Sequence, residues 1–320
     1  MRKIVDQALS WEDFISYAVL IRSGEELNLP TLFKVWFCNE SVRQKVSIHL
    51  VWMRAPFQNE CTWDYKATLF ETSQCDAFNN EEILLESNLP MFMADLPEIM
   101  YPINFLRNIA RNGASTQLHI VADIENIFSD NFCYLVRNAT RMLVEDDMKI
   151  AFIYRRFEVE SDVEQVPTKL SQLFTLHSEN MAFYFHQKFF APGHFIRNLS
   201  GWFNYSMGNP EVITMPFDYT SKRITFEPQF IMRATAPEHF EGAPTRFYDH
   251  QVLINELCRA GYTFRVLSHV FNIHIGVKRK LTEAEILTSR IAKSRRWPFR
   301  DRFYEYLDEK YGPRKNCPKL

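Results

Sequence analysis

One apolar run that ends in two carboxylates constrains the fold more than any other stretch of the chain. Residues 117–126 are Gln-Leu-His-Ile-Val-Ala-Asp-Ile-Glu-Asn, and an Asn-Gly pair precedes them at 112–113. A short apolar run bounded by a turn signal predicts a buried β-strand. Side chains alternate along an extended backbone, so Asp123 and Glu125 are expected on the same side of it.

Two neighbouring carboxylates at a strand end suit the binding of a phosphate-bearing ligand. In open α/β sheets, ligands bind at the carboxyl ends of the strands. Oxygen ligands at that position suit a hard divalent cation that holds the phosphates of a substrate. Asp and Glu two residues apart are also common in surface loops. The two residues alone therefore leave a metal site and an ordinary loop both open.

The order of the predicted elements indicates an α/β fold. Strands are predicted at 14–21 and 46–53 with a helix at 29–37 between them, which is the opening of a parallel α/β sheet. No repeat, low-complexity linker or change of composition interrupts the chain, so we predict one domain over residues 1–320. Further predicted helices lie at 101–111, 132–145, 167–176, 251–260 and after 281, and further strands at 150–154, 224–231 and 262–275.

Composition and charge argue against two classes of protein. The formal net charge of −2 over 320 residues lacks the basic excess of a nucleic-acid-binding protein. No apolar stretch reaches about 18 residues, so no membrane span is predicted. The N-terminal residues, Met-Arg-Lys-Ile-Val-Asp, are too polar for a signal peptide. With a hydrophobic fraction of 46%, the chain is able to bury a large core.

The cysteines and glycosylation sequons indicate a secretory history. None of the six cysteines forms a Cys-x-x-Cys pair, which argues against zinc and thioredoxin-like motifs. Cys61 and Cys75 lie in a less regular region, at 54–97, where they are able to close a short loop. Unmodified asparagines remain the alternative to N-glycosylation. The four Asn-x-Ser/Thr sequons begin at Asn39, Asn138, Asn198 and Asn204.

Several short segments occur along the chain in an order typical of one enzyme family. The first is Tyr-Pro-Ile-Asn-Phe-Leu-Arg-Asn-Ile-Ala at 101–110, followed by Asp-Ile-Glu at 123–125. Later segments are 151–158, Pro-Thr-Lys at 167–169, Phe-Glu-Pro at 226–228, 261–267 and Phe-Asn-Ile-His at 271–274. In this order they resemble the LARGE-like glycosyltransferases, glycosyltransferase family 49, over roughly residues 95 to 315.

The resemblance implies a fold and a reaction. It implies the GT-A fold, with a mostly parallel central sheet flanked by helices. It also implies a UDP-sugar donor, a manganese ion and an inverting transfer of the sugar to a glycan or glycoprotein acceptor. Family members are usually type II membrane proteins of the Golgi lumen, so we expect an anchor upstream of this chain or a domain separated from its anchor.

The resemblance assigns a metal site and a donor site. The family's Asp-x-Asp pattern falls on Asp123 and Glu125, and its C-terminal histidine falls on His274. These three residues are the predicted metal ligands, although Glu125 is one methylene longer than the family's Asp. Imidazole and carboxylate together suit manganese. Asn104, Arg107 and Asp123 are the predicted donor-binding residues, since a guanidinium beside a diphosphate stabilises its charge.

The acceptor side carries alternative interpretations. Glu227 is predicted to contact the acceptor or sugar, or else to fix a turn before a proline. Asp249 is predicted to be the general base that an inverting transfer requires, or else to cap the helix that follows it. The family's Gly-rich stretch before this helix is replaced by Arg-Phe-Tyr-Asp-His at 246–250. Arg155 and Arg156 are predicted at a solvated edge, and Trp202 in the core rather than as a sugar platform.

Two functions therefore remain open at this point. The first is a metal-dependent inverting glycosyltransferase. The alternative is a catalytically inactive GT-A-fold protein that binds a glycan or a partner transferase, which Glu125 and the altered stretch at 246–250 favour. An unrelated hydrolase or kinase is disfavoured, because the sequence has neither a Gly-x-Ser-x-Gly motif nor a P-loop.

Overall fold

The chain divides into two compact units. The computed structural model describes residues 2–21, 29–52, 75, 101–145, 148–220, 224–313 and 316–320. The first unit comprises Met1–Asp95 with Ile109–Ala114, and the second Leu96–Asn108 with Ser115–Leu320. The single domain over 1–320 stays a prediction. Within the described ranges, none of the helices has the length and apolar character that a membrane span needs.

The first unit contains a two-stranded parallel sheet. Ile15 lies opposite Val46, and the register continues to Ile21 opposite Trp52. The predicted strand–helix–strand opening is confirmed. Asn39 begins the short third helix, because its side chain accepts a hydrogen bond from the Val42 N–H at 3.0 Å. The elements are α1 Arg2–Ser10, β1 Ile15–Ile21, α2 Leu29–Cys38, α3 Glu40–Lys45 and β2 Val46–Trp52.

The second unit is built on a mixed sheet. Its described strands run in the order β3, β8, β5, β9, β4, with β6 added to β5 and β7 to β9. Among the described strands of this sheet, only β5 and β9 pair in parallel, so the predicted mostly parallel sheet is wrong. The strands are β3 Leu118–Ile120, β4 Ile127–Phe128, β5 Ile150–Val159, β6 Ala182–Tyr184, β7 Thr214–Phe217, β8 Phe230–Arg233 and β9 Thr263–Ile275.

Helices flank this sheet. The helix predicted at 132–145 is confirmed at both ends. The helix predicted at 251–260 ends one residue earlier, and Gly261 follows its C-cap with a φ of +90°. The described helices after β2 are, in chain order, α4 Ile103–Asn112, α5 Phe132–Glu145, α6 Leu170–Ser178, α7 Ala191–His194, α8 Leu199–Gly208, α9 Gln251–Arg259, α10 Glu283–Ser294 and α11 Arg296–Tyr311.

The central strand β5 is buried on both faces, and its two faces differ in chemistry. Ala151 and Ile153 pack into one apolar cluster with residues of α9, and Phe157 and Val159 pack into a second with Trp202 of α8. Trp202 is only 1% exposed, so its predicted place in the core is confirmed. Because side chains alternate, the opposite face of β5 presents Tyr154, Arg156 and Glu158.

The prediction that Arg155 and Arg156 lie at a solvated edge is wrong. Strand β5 continues through both residues, and each is less than 10% exposed. Arg155 donates to the carbonyl oxygens of Ile196 and Arg197 at 2.8 and 2.7 Å, and its guanidinium lies over the Trp202 ring. A buried arginine needs such acceptors, because an unpaired buried charge is very costly.

Two other predicted strands are shorter than expected. Strand β3 ends at Ile120, and Asp123 to Asn126 form a turn closed by the Asn126 N–H on the Asp123 carbonyl at 3.1 Å. Asp123 and Glu125 are therefore not alternating residues of an extended strand, as was predicted. Of the strand predicted at 224–231, only the end is realised, as the start of β8.

The disulfides differ from the predicted loop closure. Cys75 pairs with Cys38, so the prediction that it pairs with Cys61, which lies outside the described residues, is wrong. A second disulfide joins Cys258 at the end of α9 to Cys317 in the C-terminal segment. It fixes the C-terminal segment beside an apolar cluster formed mainly by α11, to which α9 contributes Val252.

Removing the second disulfide is expected to destabilise the protein. In the loop-entropy model, a cross-link over the 59-residue separation of Cys258 and Cys317 contributes about 4 kcal/mol. Replacing both residues with Ala should lower the free energy of unfolding toward that extent in non-reducing urea denaturation. Cys133→Ala, at a cysteine outside both disulfides, is the control. Equal denaturation midpoints for the double variant and the wild type would contradict the prediction.

Candidate active site

The register of the mixed sheet brings polar side chains together at one end. In β8, Phe230 and Ile231 lie opposite Ile153 and Phe152 of β5, so the residue before β8 and the residues after 153 share one end of the sheet. The residues that follow β3 lie at the same end, because β3 and β8 are antiparallel. This end carries Asp123, Arg156, Gln229, Asn272 and His274.

Asp123 is bound by two side chains, Arg156 and Gln229, that the sequence analysis did not place in the site. Its Oδ2 accepts from an Arg156 guanidinium nitrogen at 3.2 Å and from the Gln229 amide at 3.3 Å. Burial raises the pKa of Asp123, but the nearby charges of Arg156, Arg107 and His274 outweigh it and hold the pKa below its usual value. Asp123 is therefore a carboxylate over the whole neutral range.

Gln229 is oriented from behind by two buried donors. Its side-chain oxygen accepts from the Tyr154 hydroxyl at 2.7 Å and from the Asn272 amide at 3.0 Å. With the oxygen held in this way, the amide nitrogen points to Asp123. Tyr154 itself packs against the rings of Phe128 and Phe132. The position of Asp123 thus depends on the packing beneath it.

Glu125 and His274 face each other beside Asp123. The Glu125 carboxylate lies 4.0 Å from His274 Nε2, and the imidazole packs edge-on against the Phe185 ring. Among the described residues, no three His, Cys, Asp or Glu side chains are grouped closely enough to hold a metal ion. The donor set of two carboxylates and one imidazole nevertheless fits manganese by its chemistry, and the metal role of the three residues stays a prediction.

A second group surrounds the Arg107 guanidinium. Arg107 donates to the Asn104 oxygen at 2.8 Å and to Asp249 Oδ2 at 3.2 Å, and it lies 2.7 Å from His250 Nε2. Asn104 in turn donates to the carbonyl oxygens of Phe240 and Asp249, both at 3.0 Å. Asp249 precedes the N-cap position of α9, which His250 occupies without a side-chain cap. The carboxylate of Asp249 is therefore directed to Arg107.

Glu227 has neutral partners instead. Gln251 donates to its Oε1 at 2.7 Å, and His194 Nε2 lies 3.5 Å from its Oε2. Burial lowers the pKa of His194 well below its usual value, so this ring is neutral. The Glu227 N–H donates to the Gly193 carbonyl at 2.7 Å, which fixes the backbone. Burial raises the pKa of Glu227 to about 7, despite the hydrogen bond from Gln251.

The face of β5 next to the site holds another perturbed acid. Glu158 is fully buried, and burial raises its pKa to about 7. One of its oxygens accepts from the Lys278 N–H at 3.3 Å, and a backbone hydrogen bond from His186 also acts to lower the pKa. The Arg156 guanidinium, two residues earlier on the same face, lies 4.1 Å from the centroid of the Phe185 ring.

Most of the predicted site residues belong to one electrostatic group. Asp123 interacts with Arg107, Arg156 and His274, while Glu227 interacts with both arginines and with Asp249. Two buried guanidinium groups among several carboxylates suit an anionic ligand. Sequence reasoning missed the partners that hold the predicted residues in place. These are Arg156, His194, Gln229, His250 and Gln251.

Two signals in the sequence were available for the missed residues. Alternation along 150–159 places Arg156 on the same face as Tyr154, opposite the apolar face of Ile153. Gln229 comes directly after the Phe-Glu-Pro segment at 226–228, which the sequence analysis had already identified. The sequence has no comparable signal for His194 or Gln251, because their approach to Glu227 depends on tertiary structure.

Comparison with known proteins finds one matching family model and several similar transferases. A family model described as glycosyl-transferase for dystroglycan, that of glycosyltransferase family 49, matches residues 1–312. Beta-1,4-glucuronyltransferase 1 of Homo sapiens is 24% identical over 287 residues, which cover 85% of this chain and 64% of that protein. Xylosyl- and glucuronyltransferase LARGE1 of Gallus gallus is 25% identical over 175 residues, covering 55% of this chain and 22% of that protein. The chain thus spans less than two thirds of the length of these relatives.

The support of Gln229 by Tyr154 is open to a direct test. Tyr154→Phe removes the hydroxyl that donates to the buried Gln229 oxygen and leaves Asn272 as its donor. We expect a loss of about 1 kcal/mol in the free energy of unfolding, typical of one hydrogen bond, measured by urea denaturation. Tyr134→Phe, at a side chain that is 63% exposed, is the control and should change nothing. A Tyr154→Phe variant as stable as the wild type would show that the bond contributes little.

Proposed function

The chain belongs to glycosyltransferase family 49, and from that membership and the site we propose that it transfers a sugar from a UDP-sugar to a glycan or glycoprotein acceptor. The proposed fold is GT-A, and the proposed reaction inverts the anomeric centre. One observation carries the proposal. Two buried guanidinium groups, Arg107 and Arg156, lie beside the carboxylates of Asp123, Asp249 and Glu227 at one end of the sheet.

The arginines match the charge that the reaction develops. Cleavage of a sugar–phosphate bond leaves negative charge on the nucleoside diphosphate. Fixed cationic donors in a site with little water stabilise such charge without reorganisation. Arg107 is only 8% exposed and is oriented by Asn104, so both residues serve the proposed donor site. Arg156 is held by Asp123 and by the Phe185 ring.

We assign the divalent cation to Asp123, Glu125 and His274. A cation bound there would neutralise charge on the diphosphate as a Lewis acid. Asp123 contributes a carboxylate that stays ionised, because Arg156 and Arg107 hold its pKa down. Glu125 and His274 are each about one-third exposed, so both are accessible to an ion from solvent.

The runner-up function is a non-catalytic glycan-binding or transferase-binding protein of the same fold. The observation that favours it is that no three potential ligands converge on one point among the described residues. The replacement of the family's Asp by Glu125 and the altered stretch at 246–250 point the same way. Transfer of a sugar, or release of UDP from a UDP-sugar, distinguishes the two functions.

A screen of UDP-sugars with Mn²⁺, monitored as UDP release, tests the proposed function. The wild type should turn over at least one donor, and chelation should abolish the signal. Asp123→Asn keeps an acceptor for Arg156 and Gln229 but removes the charge, so it should abolish Mn²⁺-dependent UDP binding in calorimetry with little change of fold. Asp162→Asn, at an exposed acid, is the matched control. Unchanged UDP affinity in Asp123→Asn would remove Asp123 from the metal and donor site.

We further propose that the chain passes through the secretory pathway, as its sequons suggest. Asn138, Asn198 and Asn204 have exposed side chains, whereas Asn39 is half-buried as the cap of α3. Secretion from a eukaryotic host behind a signal peptide should give a product whose mass falls on glycosidase treatment. Asn204→Gln should remove one step of that shift, and Asn209→Gln, outside any sequon, should not. A secreted product with no shift would contradict the proposal.

A further inference from the structure

The two acids on the acceptor side of the site, Glu227 and Asp249, have opposite kinds of partner. Asp249 forms an ion pair with the buried Arg107 at 3.2 Å. Glu227 is bound by the amide of Gln251 and faces the neutral ring of His194. This difference bears on which acid is able to take up a proton during the reaction.

Asp249 is tied to its role by charge. Arg107 is 8% exposed, and its remaining contacts are the oxygen of Asn104 and a ring nitrogen of His250. Protonation of Asp249 would leave the guanidinium buried without a counter-charge from this partner, which is costly. The same ion pair orients Arg107 toward the site. Burial raises the pKa of Asp249 against the opposing charge of Arg107, and it is the ion pair that favours Asp249 as a constant anion.

Glu227 has the properties of a proton acceptor. Protonation of its carboxylate leaves no charge unpaired, because both side-chain partners are neutral. Its backbone is held by the Gly193 carbonyl, and 23% of its side chain is exposed, so an acceptor hydroxyl is able to reach it. A carboxylate that is fixed, accessible and bound only by neutral groups meets the geometric requirement for a general base.

We propose that Glu227, rather than Asp249, is the general base, and that Asp249 is a positioning residue that acts through Arg107. This inference rests on the proposed function. In the step, the acceptor hydroxyl gives its proton to a Glu227 oxygen, and the hydroxyl oxygen forms a bond to the anomeric carbon of the donor. The bond from that carbon to the phosphate oxygen breaks, and its electron pair leaves with the nucleoside diphosphate.

A pH dependence follows from the surroundings of Glu227. Burial raises its pKa to about 7, so the active carboxylate form accumulates as the pH rises through that value. The rate of transfer should therefore rise with pH and level off above neutrality. Gln251 favours the charged form by donating to it. The charged and titratable groups that face Glu227 are Arg107, Arg156, Arg246, Asp249 and His194.

The test compares isosteric variants of the two acids. The donor is the UDP-sugar that the wild type turns over, and the acceptors are a panel of p-nitrophenyl glycosides, with transfer followed by mass spectrometry. Glu227→Gln should lower kcat by about 10²–10⁴-fold while UDP binding in calorimetry and thermal stability stay unchanged. Asp249→Asn should lower kcat by less than about tenfold, well under that range, raise the donor KM, and keep the rise of rate with pH.

A third variant tests the base through its neighbour. Gln251→Met keeps the side-chain length but removes the donor to Glu227, so the midpoint of the pH–rate profile should move to higher pH. A purely structural role of Gln251 would change stability without that shift. Glu227→Gln activity within tenfold of the wild type, together with a large loss in Asp249→Asn, would overturn the inference and return the base to Asp249. A wild type that transfers no sugar and releases no UDP would instead refute the proposed function itself.

Discussion

The two-sided burial of strand β5 is the constraint on which the rest of the second unit depends. One face supplies apolar side chains to both clusters of the core, and the other supplies Tyr154, Arg156 and Glu158. A strand buried on both faces cannot shift by one residue without placing the charged set in the core. The register of β8 and β9 against β5 is fixed for the same reason. The site is thus a consequence of how the sheet is held together.

Buried arginines impose a second level of order. Each guanidinium carries five N–H donors and a permanent charge, so burial requires acceptors placed around it. Arg155 takes backbone carbonyls and an aromatic ring, which gives it a structural role. Arg156 and Arg107 take the carboxylates of Asp123 and Asp249 instead. In the absence of ligand, these pairs keep cationic groups in a position where an anion is expected to bind.

The sequence predicted elements better than it predicted contacts. The helix at 132–145 is strongly periodic and was placed correctly, because its pattern is local. The direction of the strands was wrong, since pairing depends on which distant segments meet. The predicted strand before Asp123 is longer than β3, which ends at Ile120. The apolar pattern continues through Ile124, but the backbone forms a turn at 123–126. The predicted site residues came from the family resemblance. Their partners come from distant parts of the chain and are brought beside them only by the tertiary fold.

The acids of the site differ in pKa because their surroundings differ, not because one is Asp and another is Glu. Asp123 lies among cationic groups, so its pKa stays low and it suits a constant charge. The side chains that contact Glu227 directly, Gln251 and His194, are neutral, and burial raises its pKa to about 7. Divergent environments of this kind are how one site combines fixed electrostatics with proton transfer. The pKa of Asp249 is also raised, because burial outweighs the lowering by the Arg107 charge. The ion pair decides the role of Asp249. Protonation of its carboxylate would remove the negative charge that Arg107 contacts directly, which is costly for a buried guanidinium.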